Sequence, residues 1–332
     1  MSDDGAALGA RLRARDLSAA PAALNLLESS TPVDREQAAE LLREVSPAVL
    51  GHEAPAHVIG VTGPPGAGKS TLLSALLHAW RAQQRTVAML AVDPSSRRSG
   101  GSLLGDRARI EFDPADRGVL IRSTAAGERL GGLAQSTRSA VDALAAAFDV
   151  VVIETVGVGQ AETDVADVAD TVVVVVQPGS GDVLQFLKSG IMEIPDVLVV
   201  TKADLGQIAL SARRDLSAAL RSLGSPSGDG ASRASVLAVS ALSPPSGIDE
   251  LVAALEQHRT ALDLGERRLA TRRAAALRDF TVEHGERGLR ELGGRSDARA
   301  LLAEQDSGMG VPALVAALEH RLPTRMRLVA SA

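Results

Sequence analysis

Hydrophobic residues follow two kinds of pattern along the chain, and the first extends to about residue 55. In residues 1–55 stretches rich in alanine and leucine alternate with polar residues. Thr31 and Pro32 precede the periodic stretch REQAAELLREV, as a helix cap and a first-turn proline would. The pattern therefore predicts a helical N-terminal extension over residues 1–55.

Between residues 56 and 263, short apolar and β-branched runs alternate with segments of helical length. The runs are HVIGVTG, TVAMLAVD, GVLIRS, FDVVVIET, DTVVVVVQ, DVLVVTK and SVLAVSA, and the helical segments are 69–84, 131–147, 181–190, 208–222 and 247–262. Runs that are apolar at every position are typical of strands buried on both faces of a parallel sheet. We therefore predict an α/β domain with a mostly parallel sheet flanked by helices.

From residue 264 to residue 332 the chain is rich in arginine and glutamate. A weak apolar stripe runs along this segment and consists of Leu269, Ala276, Leu277 and Phe280. The stripe predicts a helical C-terminal arm that binds a second protomer or another partner. Packing within the same chain remains an equal alternative, because a stripe does not specify the surface that covers it.

Composition excludes several classes of function. With 332 residues, 45% hydrophobic and 23% charged, the chain resembles a soluble globular protein. Aromatic residues make up 2% and the formal net charge is −6, which argues against binding to nucleic acid or to an anionic membrane. The absence of cysteine excludes disulfides and thiolate chemistry, and the six scattered histidines are assigned no metal. Without an apolar run of membrane-spanning length or a targeting signal, we expect a cytoplasmic location.

A glycine-rich motif directly follows the first predicted strand. Residues 63–71 read GPPGAGKST and match G-x-x-x-x-G-K-[ST] between a strand and a helix. In such a P-loop, backbone N–H groups at a helix N-terminus surround a polyphosphate. We expect Lys69 to reach the β- and γ-phosphate oxygens and Ser70 to offer its hydroxyl to Mg²⁺. The predicted nucleotide-binding residues here are Gly63, Pro64, Gly66, Ala67, Gly68, Lys69, Ser70 and Thr71.

A second motif, at the end of a later strand, specifies the base. The sequence T-K-A-D with Lys202 and Asp204 resembles the guanine-recognition motif of GTPases. An aspartate accepts hydrogen bonds from the ring N–H and the exocyclic amine of guanine, whereas adenine presents a lone pair at that ring nitrogen. Ser240, Ala241 and Leu242 follow the next strand, in the position of a base-supporting loop. We therefore predict GTP and GDP as ligands rather than ATP.

Acidic residues mark the edge of the sheet where ligands gather. Asp93 and Glu154 end two predicted strands, and Asp106 lies in the polar segment after the first. Since Mg²⁺ prefers oxygen ligands and ligands bind at the carboxyl ends of parallel strands, we predict a magnesium site. Its direct or water-mediated ligands are predicted to be Ser70, Asp93, Asp106 and Glu154.

The polar segment over residues 93–107 is predicted to be a switch that becomes ordered on γ-phosphate and Mg²⁺. Gly157 stands where other GTPases carry the glycine whose N–H senses the γ-phosphate. The predicted catalytic set is therefore Lys69, Asp106, Glu154 and Gly157. Gln160 lies three residues past the expected position of a water-positioning glutamine, so we expect slow hydrolysis by the isolated protein.

These motifs together resemble one family. GPPGAGKST, DPSSRRSGGSLLGDRARI, LGGL, VVIETVGVGQAE, TKADL and SAL occur in this order, as in the methylmalonyl-CoA mutase-associated GTPases of the MeaB/ArgK type, within the SIMIBI class of P-loop NTPases. The resemblance covers about residues 50–260. It implies a homodimeric GTPase chaperone that gates cofactor loading and protection of an adenosylcobalamin-dependent acyl-CoA mutase, without holding cobalamin permanently. The segment TAAGERLGGL and the C-terminal 70 residues depart from the family pattern.

Two other functions remain as alternatives. A nickel-inserting metallochaperone GTPase has the same fold and dimeric nucleotide use, but such proteins carry Cys and His clusters for their ion, which this chain lacks. A transport-associated ATPase or kinase requires selectivity for adenine, which the T-K-A-D motif opposes. A comparison of GTP with ATP as the bound nucleotide therefore distinguishes a GTPase from a transport-associated ATPase or kinase.

Overall fold

The structure is a computed structural model that describes residues 4–29, 31–93, 110–125, 135–155, 165–179, 195–223 and 235–323. The chain forms two compact units. Unit 1 consists of Met1–Pro55, Arg138–Ala147 and Asp263–Ala332, and unit 2 consists of Ala56–Thr137 and Phe148–Leu262. No helix among the described residues has both the length and the apolar character needed to cross a membrane.

Unit 2 contains a sheet in which every described strand pairs in parallel with its neighbours. The strands are β1 His57–Thr62, β2 Val87–Asp93, β3 Val119–Ala125, β4 Val150–Thr155, β5 Thr171–Val176, β6 Val197–Val200 and β7 Ser235–Ala238, in the order β3-β2-β4-β1-β5-β6-β7. All residues of β1, β4, β5 and β6 are buried. The predicted parallel α/β fold is therefore confirmed, and the apolar runs correspond to strands covered on both faces.

The described helices fall in both units. They are α1 Gly5–Arg13, α2 Ala20–Glu28, α3 Pro32–Glu44, α4 Pro47–Leu50, α5 Lys69–Ala82, α6 Gln135–Ala145, α7 Gln207–Leu223, α8 Ile248–Ala261, α9 Leu264–Glu291, α10 Arg295–Ala303 and α11 Val311–His320. In unit 2, α5 and α8 pack with the sheet around a core that includes Leu73, Trp80 and Leu251. The single tryptophan is thus part of the core, with 1% of its surface exposed.

Unit 1 joins the two ends of the chain. Arg272 on α9 donates two hydrogen bonds of 2.8 Å to the carboxylate of Glu53, and it reaches the Ser307 carbonyl at 2.9 Å. The Ala48 N–H donates to the Gly308 carbonyl at 2.9 Å. Helices α9, α10 and α11 share a core that includes Phe280. Three residues of the predicted stripe, Ala276, Leu277 and Phe280, therefore pack within the chain, against α10 and α11.

Strand β1 lies in the middle of the sheet, and its position determines where a ligand can bind. It pairs with β4 on one side and with β5 on the other, and α5 begins seven residues after β1 ends. In open parallel sheets the ligand site lies at the carboxyl ends of the strands, where the strand order changes direction. The carboxyl ends of β1, β4 and β5 are therefore the expected place for the phosphates.

Candidate nucleotide-binding site

The P-loop between β1 and α5 has a backbone that depends on its glycines. Gly63 has φ +143°, and a Cβ there would lie 2.1 Å from the Val175 carbonyl oxygen. Gly66 and Gly68 also have positive φ, at +78° and +89°, and α5 begins at the next residue, Lys69. A Cβ on Gly66 would project into open space, with no atom within 4 Å. The loop thus forms a cradle at a helix N-terminus, which is suited to a phosphate group.

Lys69 lies within this loop, and 8% of its surface is exposed. Its Nζ donates hydrogen bonds to the carbonyl oxygens of Gly63 at 2.7 Å and Pro64 at 3.3 Å. The ammonium group is therefore held at the cradle itself, where it would face a bound polyphosphate.

Ser70 and Glu154 bring two oxygen ligands together. Ser70 Oγ donates to Glu154 Oε1 at 3.2 Å, and Glu154 is 7% exposed. The Cα of Glu154 pairs with Val61 in β1 and Ala91 in β2, so its place beside the P-loop follows from the sheet register. A hydroxyl and a carboxylate are the ligand types that Mg²⁺ prefers, so these residues fit the ion.

The other predicted metal and catalytic residues lie partly outside the described residues. Strand β2 ends at Asp93 and pairs there with Ala125, which places the Asp93 backbone at the carboxyl edge of the sheet. The Asp93 side chain is not described, and Asp106 and Gly157 lie outside the described residues. Their roles stay predictions.

The T-K-A-D motif forms the second half of the site. Lys202 follows β6 in the left-handed conformation, with φ +55°, and its Nζ lies 2.5 Å from Gln177 Oε1 and 3.4 Å from the Gly66 carbonyl oxygen. Asp204 Oδ1 accepts a hydrogen bond from Ser240 Oγ at 2.7 Å. The predicted base-binding carboxylate is therefore oriented by the predicted base-supporting loop.

Thr201 connects the two halves, and it is absent from the set of residues predicted from sequence. Its Oγ1 lies 2.6 Å from the Ala67 carbonyl oxygen and 3.1 Å from that of Val176. A Cβ on Gly68 would lie 3.7 Å from the same hydroxyl oxygen. Thr201 opens the T-K-A-D motif, so its place in the motif was the available signal, but its contact with the P-loop depends on tertiary structure.

A cleft of about 620 Å³ extends from these elements. Its lining includes Thr71 and His78 from α5, Ala241 and Leu242 from the loop after β7, and Asp249 at the start of α8. The cleft brings a predicted phosphate residue, Thr71, to the same cavity as two predicted base-loop residues. Lys69, Ser70 and Asp204 do not line this cleft, so it is not itself the phosphate and base site.

Residues 5–287 match the family model described as "Methylmalonyl Co-A mutase-associated GTPase MeaB". The chain belongs to this family of GTPases. The resemblance inferred from the motifs is therefore confirmed.

Relatives in other organisms support this membership. A Pyrococcus abyssi protein named as a GTPase is 46% identical over 195 residues, which are 58% of this chain and 58% of that protein. A Mycobacterium tuberculosis protein named as a probable GTPase is 43% identical over 260 residues, 77% of this chain and 75% of that protein. The match thus spans less than two thirds of the archaeal relative's own length.

Among solved structures, one named LAO/AO transport system kinase superposes with a TM-score of 0.66 and 29% identity, covering 100% of this chain and 97% of that chain. Its fold agrees with the P-loop architecture described above. The kinase name belongs to that protein.

Proposed function

We propose that the chain binds GTP with Mg²⁺ and hydrolyses it to GDP and phosphate. The observation that carries the proposal is the connection of the P-loop to the T-K-A-D motif through Thr201, within a member of a GTPase family. The first motif suits a polyphosphate and the second suits guanine. One nucleotide can engage both because they are held together.

In this proposal each side chain has a defined role in phosphoryl transfer. Lys69 and the P-loop amides hold the β- and γ-phosphates and stabilise the charge that develops on them. Magnesium, when bound, would supply positive charge that neutralises the phosphate oxygens. Ser70 and Glu154 would hold it, with Asp93 and Asp106 as further ligands, and Gly157 would sense the γ-phosphate.

Base selection rests on Asp204 with Lys202, Ser240, Ala241 and Leu242. The Ser240 hydroxyl holds the Asp204 carboxylate in one orientation. A carboxylate in that orientation favours the two N–H donors of guanine and would face a lone pair of adenine. Preference for GTP over ATP follows from this chemistry.

We further propose that the chain is a cytoplasmic, homodimeric chaperone of an adenosylcobalamin-dependent acyl-CoA mutase. The family description supports this role, because it names an association with methylmalonyl-CoA mutase. Nucleotide binding and hydrolysis would gate loading of the cofactor into the mutase and protect the mutase from inactivation. Cobalamin would belong to the mutase rather than to this chain.

The experiment is a measurement of GTP hydrolysis with and without a panel of cobalamin-dependent acyl-CoA mutases, with ATP as the control nucleotide. We expect slow hydrolysis alone and faster hydrolysis with one mutase, because groups supplied or ordered by a partner accelerate such reactions by about 10³ to 10⁵. Rapid turnover that no mutase changes would contradict the chaperone proposal.

The Asp204→Asn variant tests base selection separately. Its amide cannot accept both guanine N–H groups but can donate to a carbonyl, so GTP affinity should fall and xanthosine triphosphate should bind better. Asp215→Asn, an exposed position on α7, is the matched control and should leave both affinities unchanged. An unchanged preference for GTP in Asp204→Asn would remove the base assignment.

The kinase name of one solved relative favours a second candidate, a transport-associated ATPase or kinase. This candidate predicts consumption of ATP in preference to GTP. The same nucleotide comparison decides between the two functions.

A further inference from the structure

A groove in unit 1 is lined by facing surfaces of α9 and α10. Its volume is about 530 Å³. Ala270, Ala274 and Leu277 follow each other at spacings of four and three residues, so they share one face of α9. Arg295, Arg299 and Leu302 share one face of α10 in the same way. The groove is separate in sequence from every residue assigned to the nucleotide.

Its charge is strongly positive, although the whole chain has a formal charge of −6. Among the ten described residues that line it, four are arginines, namely Arg273, Arg278, Arg295 and Arg299, and none is acidic. Four guanidinium groups around one groove repel each other unless anions compensate them. The groove is therefore electropositive although the whole chain is acidic.

Three of the four arginines, Arg273, Arg295 and Arg299, receive little compensation from carboxylates of the described residues. Arg273 donates to a neutral acceptor, the Ala303 carbonyl oxygen, at 3.0 Å. Arg295 pairs with Glu286 at 2.7 Å, but both side chains are more than half exposed, so the pair contributes little. Arg299 is exposed and has no ion-pair partner in the described part of the chain. Carboxylates of another molecule would complete these pairs.

The apolar part of the groove indicates the shape of that molecule. Ala270 and Ala274 are small, which allows close approach, and Val282 is 53% exposed at the groove. A groove between two helices with an apolar floor is the geometry in which an amphipathic helix binds. The arginines beside the apolar floor of the groove can form ion pairs with acidic residues on either side of the apolar stripe of such a helix.

We propose that this groove binds an acidic amphipathic helix of a partner protein. The apolar stripe of that helix lies on Ala274, Leu277 and Val282, and its flanking Asp and Glu side chains pair with Arg295 and Arg299. The proposal extends beyond the nucleotide chemistry and does not depend on the identity of the mutase.

The test uses the full-length protein and synthetic peptides labelled with a fluorophore. The probe is a peptide of about 18 residues with leucine at i, i+3, i+4 and i+7 and glutamate beside the stripe. One control peptide replaces each glutamate by lysine, and another has the same composition in scrambled order. Anisotropy titrations should show binding of the acidic amphipathic peptide alone, weakened by raising the salt to about 0.3 M.

Charge-reversal variants locate the site. Arg295→Glu and Arg299→Glu should each weaken peptide binding by about tenfold, because an attraction becomes a repulsion. Arg287→Glu and Arg290→Glu are matched controls, since both residues are exposed on α9 and neither lines the groove. These two should bind the peptide as the unaltered protein does.

Several outcomes would overturn the proposal. Equal binding of the scrambled peptide, or of inorganic triphosphate, would reduce the groove to a general anion site. If the control variants lost as much affinity for the acidic peptide as the groove variants, or if the unaltered protein did not bind that peptide, no such helix would dock here. Dissociation of a dimer by Arg295→Glu with Arg299→Glu, without an effect on the peptide, would make the groove an interface between copies.

Discussion

At the scale of single residues, Lys69 concentrates positive charge at the phosphate cradle. Its ammonium group donates to two carbonyls of its own loop and is largely buried. Charged hydrogen bonds to phosphate are stronger than those to neutral carbonyls. A bound polyphosphate would therefore compete effectively for this group.

We predict that Lys69→Ala lowers GTP affinity by about a hundredfold or more, because it removes charge-assisted bonds worth about 1.5–3 kcal/mol each. Equilibrium dialysis or calorimetry measures the affinity. Circular dichroism should show an unchanged fold, since the two hydrogen bonds from Lys69 to Gly63 and Pro64 lie within the loop itself. Unchanged GTP affinity would remove the P-loop assignment.

The proposed roles of Lys69 and Asp204 come from sequence alone, because each lies in a short motif with a defined spacing. The contact of Thr201 with Ala67 could not, because it joins positions 134 residues apart. Sequence placed Ser70 and Glu154 in one metal site, and the structure brings their oxygens within 3.2 Å. The pairing followed from a general rule about strand ends, not from a local pattern.

At the scale of elements, Thr201 links the end of β6 to the P-loop that precedes α5. We predict that Thr201→Val, which keeps the shape but removes the hydroxyl, lowers the free energy of unfolding by about 1–3 kcal/mol. It should also weaken GTP binding several-fold, because the two halves of the site lose the 2.6 Å hydrogen bond that joins them. Denaturant unfolding and GTP titration provide the measurements.

Thr260→Val is the matched control for this substitution. Its hydroxyl bonds to the Glu256 carbonyl one turn earlier on the exposed side of α8, so the change should cost little. If Thr201→Val behaved like this control in both assays, Thr201 would have no linking role.

A hydrogen-bonded chain joins the first residues of β1 and β5. His57 Nε2 lies 2.7 Å from Thr171 Oγ1, which lies 2.8 Å from His258 Nδ1, and His258 Nε2 lies 3.2 Å from Asp196 Oδ1. His57 is fully buried. Burial lowers the pKa of His57 to about 4; Asp170 and Glu256 oppose this effect, and Arg259 and Arg85 add to it.

This pKa predicts acid sensitivity. In the unfolded chain His57 takes up a proton near pH 6.5, but in the folded chain it does so only near pH 4. Its contribution to stability is therefore complete above pH 6.5 and falls as the pH is lowered to 4, by on the order of 3 kcal/mol. Urea unfolding at several pH values between 4 and 6.5 measures how the free energy of unfolding changes with pH.

The His57→Gln variant should show a smaller change in the free energy of unfolding with pH, because a glutamine does not titrate. His52→Gln serves as the control, since His52 is exposed. An equally steep slope in His57→Gln would assign the acid sensitivity to other groups.

The strands were predictable because their residues are apolar at every position, but the order of the strands was not. Pairing of β1 with both β4 and β5 depends on contacts between segments about 90 to 115 residues apart. No local pattern of Val and Ile distinguishes one neighbour from another, since all buried strands present similar surfaces.

At the scale of the whole molecule, the proposed ligand should stabilise the folded chain. We predict that GTP with Mg²⁺ raises the free energy of unfolding by about 2.7 kcal/mol when the GTP concentration is about 100 times the dissociation constant of GTP. The melting temperature should rise with GTP concentration and not with ATP. An equal rise with both nucleotides would contradict the proposed base selectivity.

The grouping of the two chain ends in one unit was not evident from sequence. The stripe of Ala276, Leu277 and Phe280 predicted a helix face that needs cover, but helical periodicity does not identify the covering element. In the structure α10 and α11 cover that face. The paired bonds between Arg272 and Glu53 tie the same unit to the N-terminal segment, across 219 residues of sequence.

This grouping also bears on how the chain matures during synthesis. Residues near Glu53 leave the ribosome early, whereas Arg272 and Gly308, which bond to Glu53 and Ala48, are made near the end. Unit 1 is therefore completed only after translation has passed all of unit 2. Until then the N-terminal helices, which pack on each other, lack the bonds from Arg272 to Glu53 and from Ala48 to Gly308 that tie them to the end of the chain.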